Sequence, residues 1–135
     1  MARIDLWFLL LATACLICGV ALGIGMGIAH DFHLAPVHAH LNLLGWASLA
    51  LFGLVYRAYP AMARGVLPRL HLGLAAPSAV LFPVGIYLSI EQQSPGVAIA
   101  ASLLWFAGVV LFLIALARLA LGAAEPRAME MAPAE

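Results

Sequence analysis

Four long apolar stretches, separated by short polar segments, set the pattern of the chain. They cover residues 6–29, 37–56, 70–90 and 95–117, are 20 to 24 residues long, and contain no Asp, Glu, Lys or Arg. A helix of about 20 apolar residues crosses the hydrocarbon core of a bilayer, where backbone groups must bond to one another. The pattern therefore predicts an all-α fold, a four-transmembrane-helix bundle, over residues 1–121.

Composition narrows the class of protein further. Hydrophobic residues make up 66% of the 135 positions and charged residues 9%, against about half and about a quarter in soluble domains. Six arginines and six acidic residues balance, so the chain lacks the basic excess of a nucleic-acid binder. A soluble enzyme, a disordered chain and a nucleic-acid partner are excluded, and membrane lipid is the expected surrounding.

The arginines predict the orientation of the bundle. They precede the first stretch, lie between the second and third, or follow the fourth: Arg3, Arg57, Arg64, Arg69, Arg118 and Arg127. Because arginines accumulate on the cytoplasmic side, both termini are expected in the cytoplasm. The 6–29 stretch is longer than the apolar core of a cleaved signal peptide, which favours a retained helix. Residues 122–135 are rich in Ala, Glu and Pro and are predicted to form a disordered cytoplasmic tail.

Small residues and two polar rings give further expectations about packing. Gly19, Gly23 and Gly27 recur every four residues on the first helix, a spacing that permits close helix approach within one chain or between chains. Tyr56 and His71 stand near the predicted cytoplasmic ends of helices two and three. Both are expected at the membrane interface, where such amphipathic side chains are common.

Histidines carry the candidate chemistry, because ionisable side chains in a membrane-spanning segment are costly and mark functional sites. Four of the five lie at the predicted outer end: His30, His33, His38 and His40. Residues i and i+2 of a helix are about 200° apart. His38 and His40 are therefore expected on opposite faces of helix two, each serving a different site. The His38 face would also carry Asn42, Gly45, Leu49, Gly53 and Tyr56, and the His40 face Leu43, Leu44, Ala47, Leu51 and Leu54.

A second arrangement is open if the segment after Pro36 is extended. His38 and His40 would then share a face and, with His30 or His33, would bind Zn²⁺ or Cu²⁺. In that case Asn42 would orient an imidazole ring through a hydrogen bond. Trp46 lies deeper in the helix. It packs either on a flat cofactor ring or, as is commoner for aromatic residues, in the protein core.

Residues 38–46 read HAHLNLLGW, and this segment resembles the haem-ligand helix of subunit I of the heme-copper oxidases. The resemblance is closest to the C-type oxidases and the nitric oxide reductases. In those proteins a His-x-His pair opens the tenth helix on the outer side, and its rings bind two haems on opposite faces. The whole chain also looks like short bacterial four-helix proteins described as cytochrome-c-oxidase-like, which implies a bacterial inner-membrane location.

The resemblance also implies a cofactor and an assembly. Subunit I has twelve helices in three four-helix units, and its ligand-bearing helices are each the second of a unit, as is the helix with His38 and His40. A homotrimer of this chain would mimic that subunit. Haem b would then be ligated by His38 of one protomer and His40 of its neighbour, beside Asn42 and Trp46. The chain has no Cys-x-x-Cys-His, which excludes covalent haem attachment.

Three functions stay open from the sequence. The first is a haem-binding redox protein that exchanges electrons with a respiratory-chain partner, because two histidine ligands leave no open position for oxygen. The chain lacks the further copper-binding histidines of an oxidase, so oxygen reduction by this chain alone is not expected, and enzyme activity stays open. The second is a protein that handles copper or zinc at the outer face with His30 and His33. The third is a non-catalytic accessory subunit of a respiratory oxidase with structural histidines.

Overall fold

The computed structural model describes residues 3–122, and every regular element in that range is helical. Four helices are long and apolar enough to cross a membrane: α1 Ile4–Ala29, α2 Ala35–Ala58, α3 Leu67–Gln92 and α4 Gly96–Gly122. The predicted all-α, four-helix fold is confirmed, and the chain has the build of a multi-pass membrane protein. Of the predicted tail, Gly122 ends α4, and residues 123–135 lie outside the described range.

Prolines mark where two of the helices begin. Pro36 and Pro68 lie in the first turns of α2 and α3, where a residue without a backbone N–H leaves no helical hydrogen bond unmade. Helix α2 is already regular from Ala35. The alternative in which the segment after Pro36 is extended is therefore wrong, and His38 and His40 both belong to a helix.

The helix ends gather into two chemically different groups. Arg57 at the end of α2 reaches Asp5 at the start of α1, with a 3.5 Å distance between guanidinium and carboxylate. At the other end, His33 in the α1–α2 loop bonds Glu91 in the last turn of α3. We call the first group the arginine end (Arg3, Arg57, Arg64, Arg69 and Arg118) and the second the histidine end (His30, His33, His38, His40 and Glu91).

Glycines bring α1 and α2 together. A Cβ atom added to Gly19 would come within 2.6 Å of the Asn42 amide, and one added to Gly23 within 2.8 Å of the His38 ring. Only the absence of a side chain lets these polar groups lie against α1. Gly27 has nothing within 4 Å of its Cβ position. The small-residue stripe therefore serves packing within the chain at its first two glycines.

Helix α2 contains a widened segment that the apolar pattern does not predict. Leu41–Ser48 is a π-helix between the α-helical segments Ala35–His40 and Leu49–Ala58. In a π turn each N–H bonds the carbonyl five residues back instead of four. The Asn42 side chain donates to the His38 carbonyl at 2.8 Å, and the Ser48 hydroxyl donates to the Leu43 carbonyl at 2.9 Å. The two side chains thus give hydrogen-bond donors to one backbone carbonyl just before the π-helix and one inside it. Backbone groups surrounded by lipid need such partners because no water reaches them.

The core is aromatic and lies towards the arginine end. Phe8 of α1 stacks on Tyr56 of α2 with ring centroids 5.6 Å apart, and Phe52 meets Phe112 of α4 at 4.6 Å. Tyr56 is only 1% exposed, so its ring lies inside the bundle and not on its surface. Its ring packs between helices because Gly53, one turn earlier, lets α1 approach closely enough for Phe8 to reach it.

Candidate functional site

His38 is half-buried between α2 and α1. Its Nδ1 atom lies 2.8 Å from the carbonyl oxygen of Gly19. A carbonyl only accepts hydrogen bonds, so Nδ1 carries the proton and donates. In the neutral imidazole this leaves Nε2 with its lone pair, the form in which histidine ligates metals.

His40 has the same hydrogen-bond arrangement on the other side of α2. Its Nδ1 atom donates to the Pro36 carbonyl at 2.7 Å, so Nε2 again carries the lone pair. Its ring centroid lies 5.0 Å from that of Phe82 on α3, whereas His38 lies against Gly23 of α1. The predicted opposite faces are confirmed, and the two rings of one chain cannot hold a single metal ion between them.

The two faces of α2 differ in what covers them. On the His38 face, Asn42, Gly45 and Gly53 all approach residues of α1, and Leu49 and Tyr56 are buried. On the His40 face, three of the four leucines are more than half exposed, Leu43, Leu51 and Leu54, and Leu44 is half-buried. His38 therefore lies half-buried against α1, whereas His40 borders an open apolar surface.

Asn42 acts on the backbone of His38. Its Nδ2 atom donates to the His38 carbonyl at 2.8 Å. The same atom lies 3.4 Å from His38 Nδ1, but both are donors once Nδ1 bonds Gly19, so no hydrogen bond joins them. The ring is oriented by the Gly19 carbonyl, the role that the sequence suggested for Asn42. Trp46 is half-buried and packs against the hydrophobic core.

His33 is held by two carboxylates in the loop and on α3. Its Nδ1 lies 2.9 Å from Asp31 Oδ1, and its Nε2 lies 3.0 Å from Glu91 Oε1. Hydrogen bonding to Asp31, with the nearby Glu91 carboxylate, raises the pKa of His33 above its ordinary 6.5. The backbone and side-chain hydrogen bonds from His33 lower the pKa of Asp31. Since both ring nitrogens are engaged, His33 has none left for a metal in this arrangement.

The four histidines of the histidine end are not assembled into one cluster. His30 ends α1 in a left-handed conformation with φ of 53° and is exposed. Within residues 3–122, no three His, Cys, Asp or Glu side chains are grouped in the way that would hold a metal ion. The structure therefore does not bring His30 and His33 together with His38 and His40 as a set of copper or zinc ligands.

The enclosure of His71 is the feature that sequence reasoning did not anticipate. It was expected near the interface at the depth of Tyr56; it is 0% exposed, and its Nδ1 lies 3.0 Å from the Tyr56 hydroxyl. Three phenylalanine rings enclose it with centroids 4.7 to 5.3 Å away: Phe8, Phe52 and Phe112. Its Nε2 has no hydrogen-bond partner within residues 3–122. A sequence signal existed, since Phe8, Phe52, Tyr56 and Phe112 all lie near the arginine-side ends of their apolar stretches.

Comparisons with protein-family models, curated proteins and solved structures find no match to this chain. The fold and its four apolar helices define it as a multi-pass membrane protein.

Proposed function

We propose that this protein binds haem b within the membrane and transfers electrons, with His38 and His40 as the iron ligands. The observation that carries the proposal is the hydrogen bond from Nδ1 of each ring to a backbone carbonyl. Such a bond fixes the tautomer and ring orientation and leaves Nε2 for the metal, as is usual for ligating histidines. His38 and His40 are thus the residues that would hold the haem iron.

Two copies of the chain are needed to ligate one haem. His38 and His40 lie on opposite sides of α2, against α1 and near Phe82 of α3. We therefore infer a homo-oligomer in which His38 of one protomer and His40 of the next complete each site. A homotrimer would reproduce the three-unit arrangement of the oxidase subunit that residues 38–46 resemble. The exposed leucines on the His40 face offer an apolar surface for the neighbouring copy.

Ligation by two histidines favours electron transfer over oxygen chemistry. Haem would supply a one-electron iron couple when bound, and ligation by both His38 and His40 would leave no position for a substrate. The protein would exchange electrons with a respiratory-chain partner in a bacterial inner membrane. The distribution of arginines supports an orientation with both termini in the cytoplasm.

An absorption spectrum of the detergent-purified protein, oxidised and dithionite-reduced, tests the proposal. We expect sharp reduced bands that carbon monoxide does not change, and their loss in both His38→Ala and His40→Ala. His33→Ala is the matched control, because it removes a histidine from the same end whose ring nitrogens are both bonded to carboxylates. The control should keep the bands at full intensity.

Mixing the two variants tests the sharing of ligands between chains. When differently tagged His38→Ala and His40→Ala chains are produced together, one site of each mixed trimer joins an intact His38 to an intact His40 of its neighbour. Part of the haem absorption should return in the doubly purified complex. A colourless wild-type protein from cells well supplied with haem would contradict the proposal, and its copper and zinc content would then be measured.

A further inference from the structure

A pocket at the arginine end gathers four arginines from three parts of the chain. Its volume is about 540 Å³. Arg3 comes from the start of α1 and Arg57 from the end of α2, and Arg64 and Arg69 flank the start of α3. Arg3 is far from the other three in sequence and meets them because the start of α1 lies beside the end of α2.

The charge in this pocket is strongly unbalanced. Asp5 is the single carboxylate of the lining, and it lies 3.5 Å from both Arg3 and Arg57. Within residues 3–122, no carboxylate pairs with Arg64 or Arg69. Guanidinium groups are planar and bind phosphate through two parallel hydrogen bonds. The pocket is thus complementary to an anion with phosphate chemistry.

The backbone adds to the positive potential of the pocket. Ile4, the first residue of α1, and Arg69, in the first turn of α3, both line it. Helix N-termini carry partial positive charge, and the first turn of α3 contains no acidic residue to offset it. Arg69 is therefore placed where a cation is unfavourable unless an anion lies nearby.

An apolar cleft adjoins the charged pocket and shares Arg64 with it. The cleft has a volume of about 430 Å³ and runs between the α2–α3 loop and the end of α4. Its lining is mainly apolar, with Arg118 at the same end: Met62, Leu67, Ala115 and Leu119. A free inorganic anion would leave this cleft empty, whereas a molecule that joins a phosphate to an acyl chain would fill both.

We propose that the arginine end binds an anionic phospholipid, with its phosphate in the arginine pocket and an acyl chain in the adjoining cleft. The pocket lies at the ends of three of the four helices that are long enough to cross a membrane, the depth at which lipid headgroups are found, and basic pockets at that depth bind anionic headgroups. The inference does not depend on haem, because the arginine pocket is formed at the opposite end of the bundle from His38 and His40.

Thermal unfolding of the full chain in neutral detergent tests the lipid site. Three probes are added separately: dioleoylphosphatidylglycerol, dioleoylphosphatidylcholine with the same acyl chains, and inorganic phosphate. We expect the melting temperature to rise by several degrees with the first probe only, since binding to the folded state stabilises it. Arg64→Gln/Arg69→Gln should weaken phosphatidylglycerol binding at least tenfold, and Arg64→Lys/Arg69→Lys should restore part of it.

Two controls make the result decisive. His33→Gln removes a cationic ring at the histidine end and should keep the preference for phosphatidylglycerol. The haem spectrum, recorded on the same samples, reports on the other site and should not change in the arginine variants. Equal stabilisation by phosphatidylcholine, or an unchanged preference in Arg64→Gln/Arg69→Gln, would overturn the proposal. An equal rise with inorganic phosphate would show that the pocket binds a free anion instead of a lipid.

Discussion

The two ends of the bundle hold their polar side chains in different ways. At the histidine end, His38 and Asn42 pack against glycines of α1 and donate to backbone carbonyls. At the arginine end, His71 is enclosed by aromatic rings and bonds the Tyr56 hydroxyl. Both arrangements bury polar side chains, and they differ in what fixes them. A carbonyl dictates which ring nitrogen is protonated, while a hydroxyl can donate or accept. The carbonyl bond at His38 leaves the Nε2 lone pair free to bind a metal, whereas the aromatic enclosure of His71 makes that ring part of the packed core.

A membrane protein tolerates both ways of burying polar side chains because most of their polar atoms find partners inside the protein. Near the π segment, carbonyls around the change of register receive side-chain donors from Asn42 and Ser48. His71 keeps one nitrogen without a partner among residues 3–122, but the aromatic faces around it can receive an N–H weakly. Substitutions that remove packed rings at the arginine end should therefore lower the stability of the fold. Substitutions that reorient the His38 ring at the histidine end should mainly lower haem binding.

His71→Ala should give the largest loss of stability. Removing a fully buried ring leaves a cavity among Phe8, Phe52 and Phe112 and takes away the partner of Tyr56, which costs about 2–5 kcal/mol in comparable cores. The half-buried His40 is the matched position, and His40→Ala in the haem-free protein should cost about 1 kcal/mol or less. Unfolding by denaturing detergent measures both. Equal losses would show that the two ends do not differ as described.

Gly23→Ala should have an intermediate effect that reaches the site. The added Cβ would lie 2.8 Å from His38 Cε1, and overpacking of this kind costs about 1–3 kcal/mol. The ring must move off the Gly19 carbonyl, so the haem content of the variant should fall as well. Gly27→Ala is the matched control, because its Cβ would meet nothing within 4 Å. Equal haem binding by the two variants would remove the argument that glycine packing positions His38.

His33→Gln should have the smallest effect on stability, because the hydrogen bonds that join His33 to Asp31 and Glu91 are exposed. The raised pKa of His33 means that its contribution is complete below pH 6.5 and is lost as pH rises through that raised value. The lowered pKa of Asp31 means that its contribution is present above pH 3.8 and is lost as pH falls through the lowered value. The melting temperature of wild type should exceed that of His33→Gln most between pH 3.8 and pH 6.5. A difference that is the same at pH 5 and pH 9 would speak against this link.

The four helices and the placement of His38 and His40 on opposite faces could be predicted from the sequence alone. The lengths of the apolar stretches predicted four helices, because only an internally bonded backbone of that length can cross a bilayer. The i, i+2 spacing of His38 and His40 predicted opposite faces, because the helical period fixes that angle wherever the segment is helical. Both inferences use local geometry, which needs no knowledge of what the helix packs against.

Long-range contacts decided the remainder. The bond from His38 to Gly19 and the bond from His33 to Glu91 each depend on how separate helices approach. The burial of His71 is the clearest case, since its sequence neighbours place it near a polar helix end while four aromatic rings from three other helices enclose it. Sequence spacing thus determined the helices and their faces. Only the tertiary structure decided which polar atoms find partners, because partners come from elsewhere in the chain.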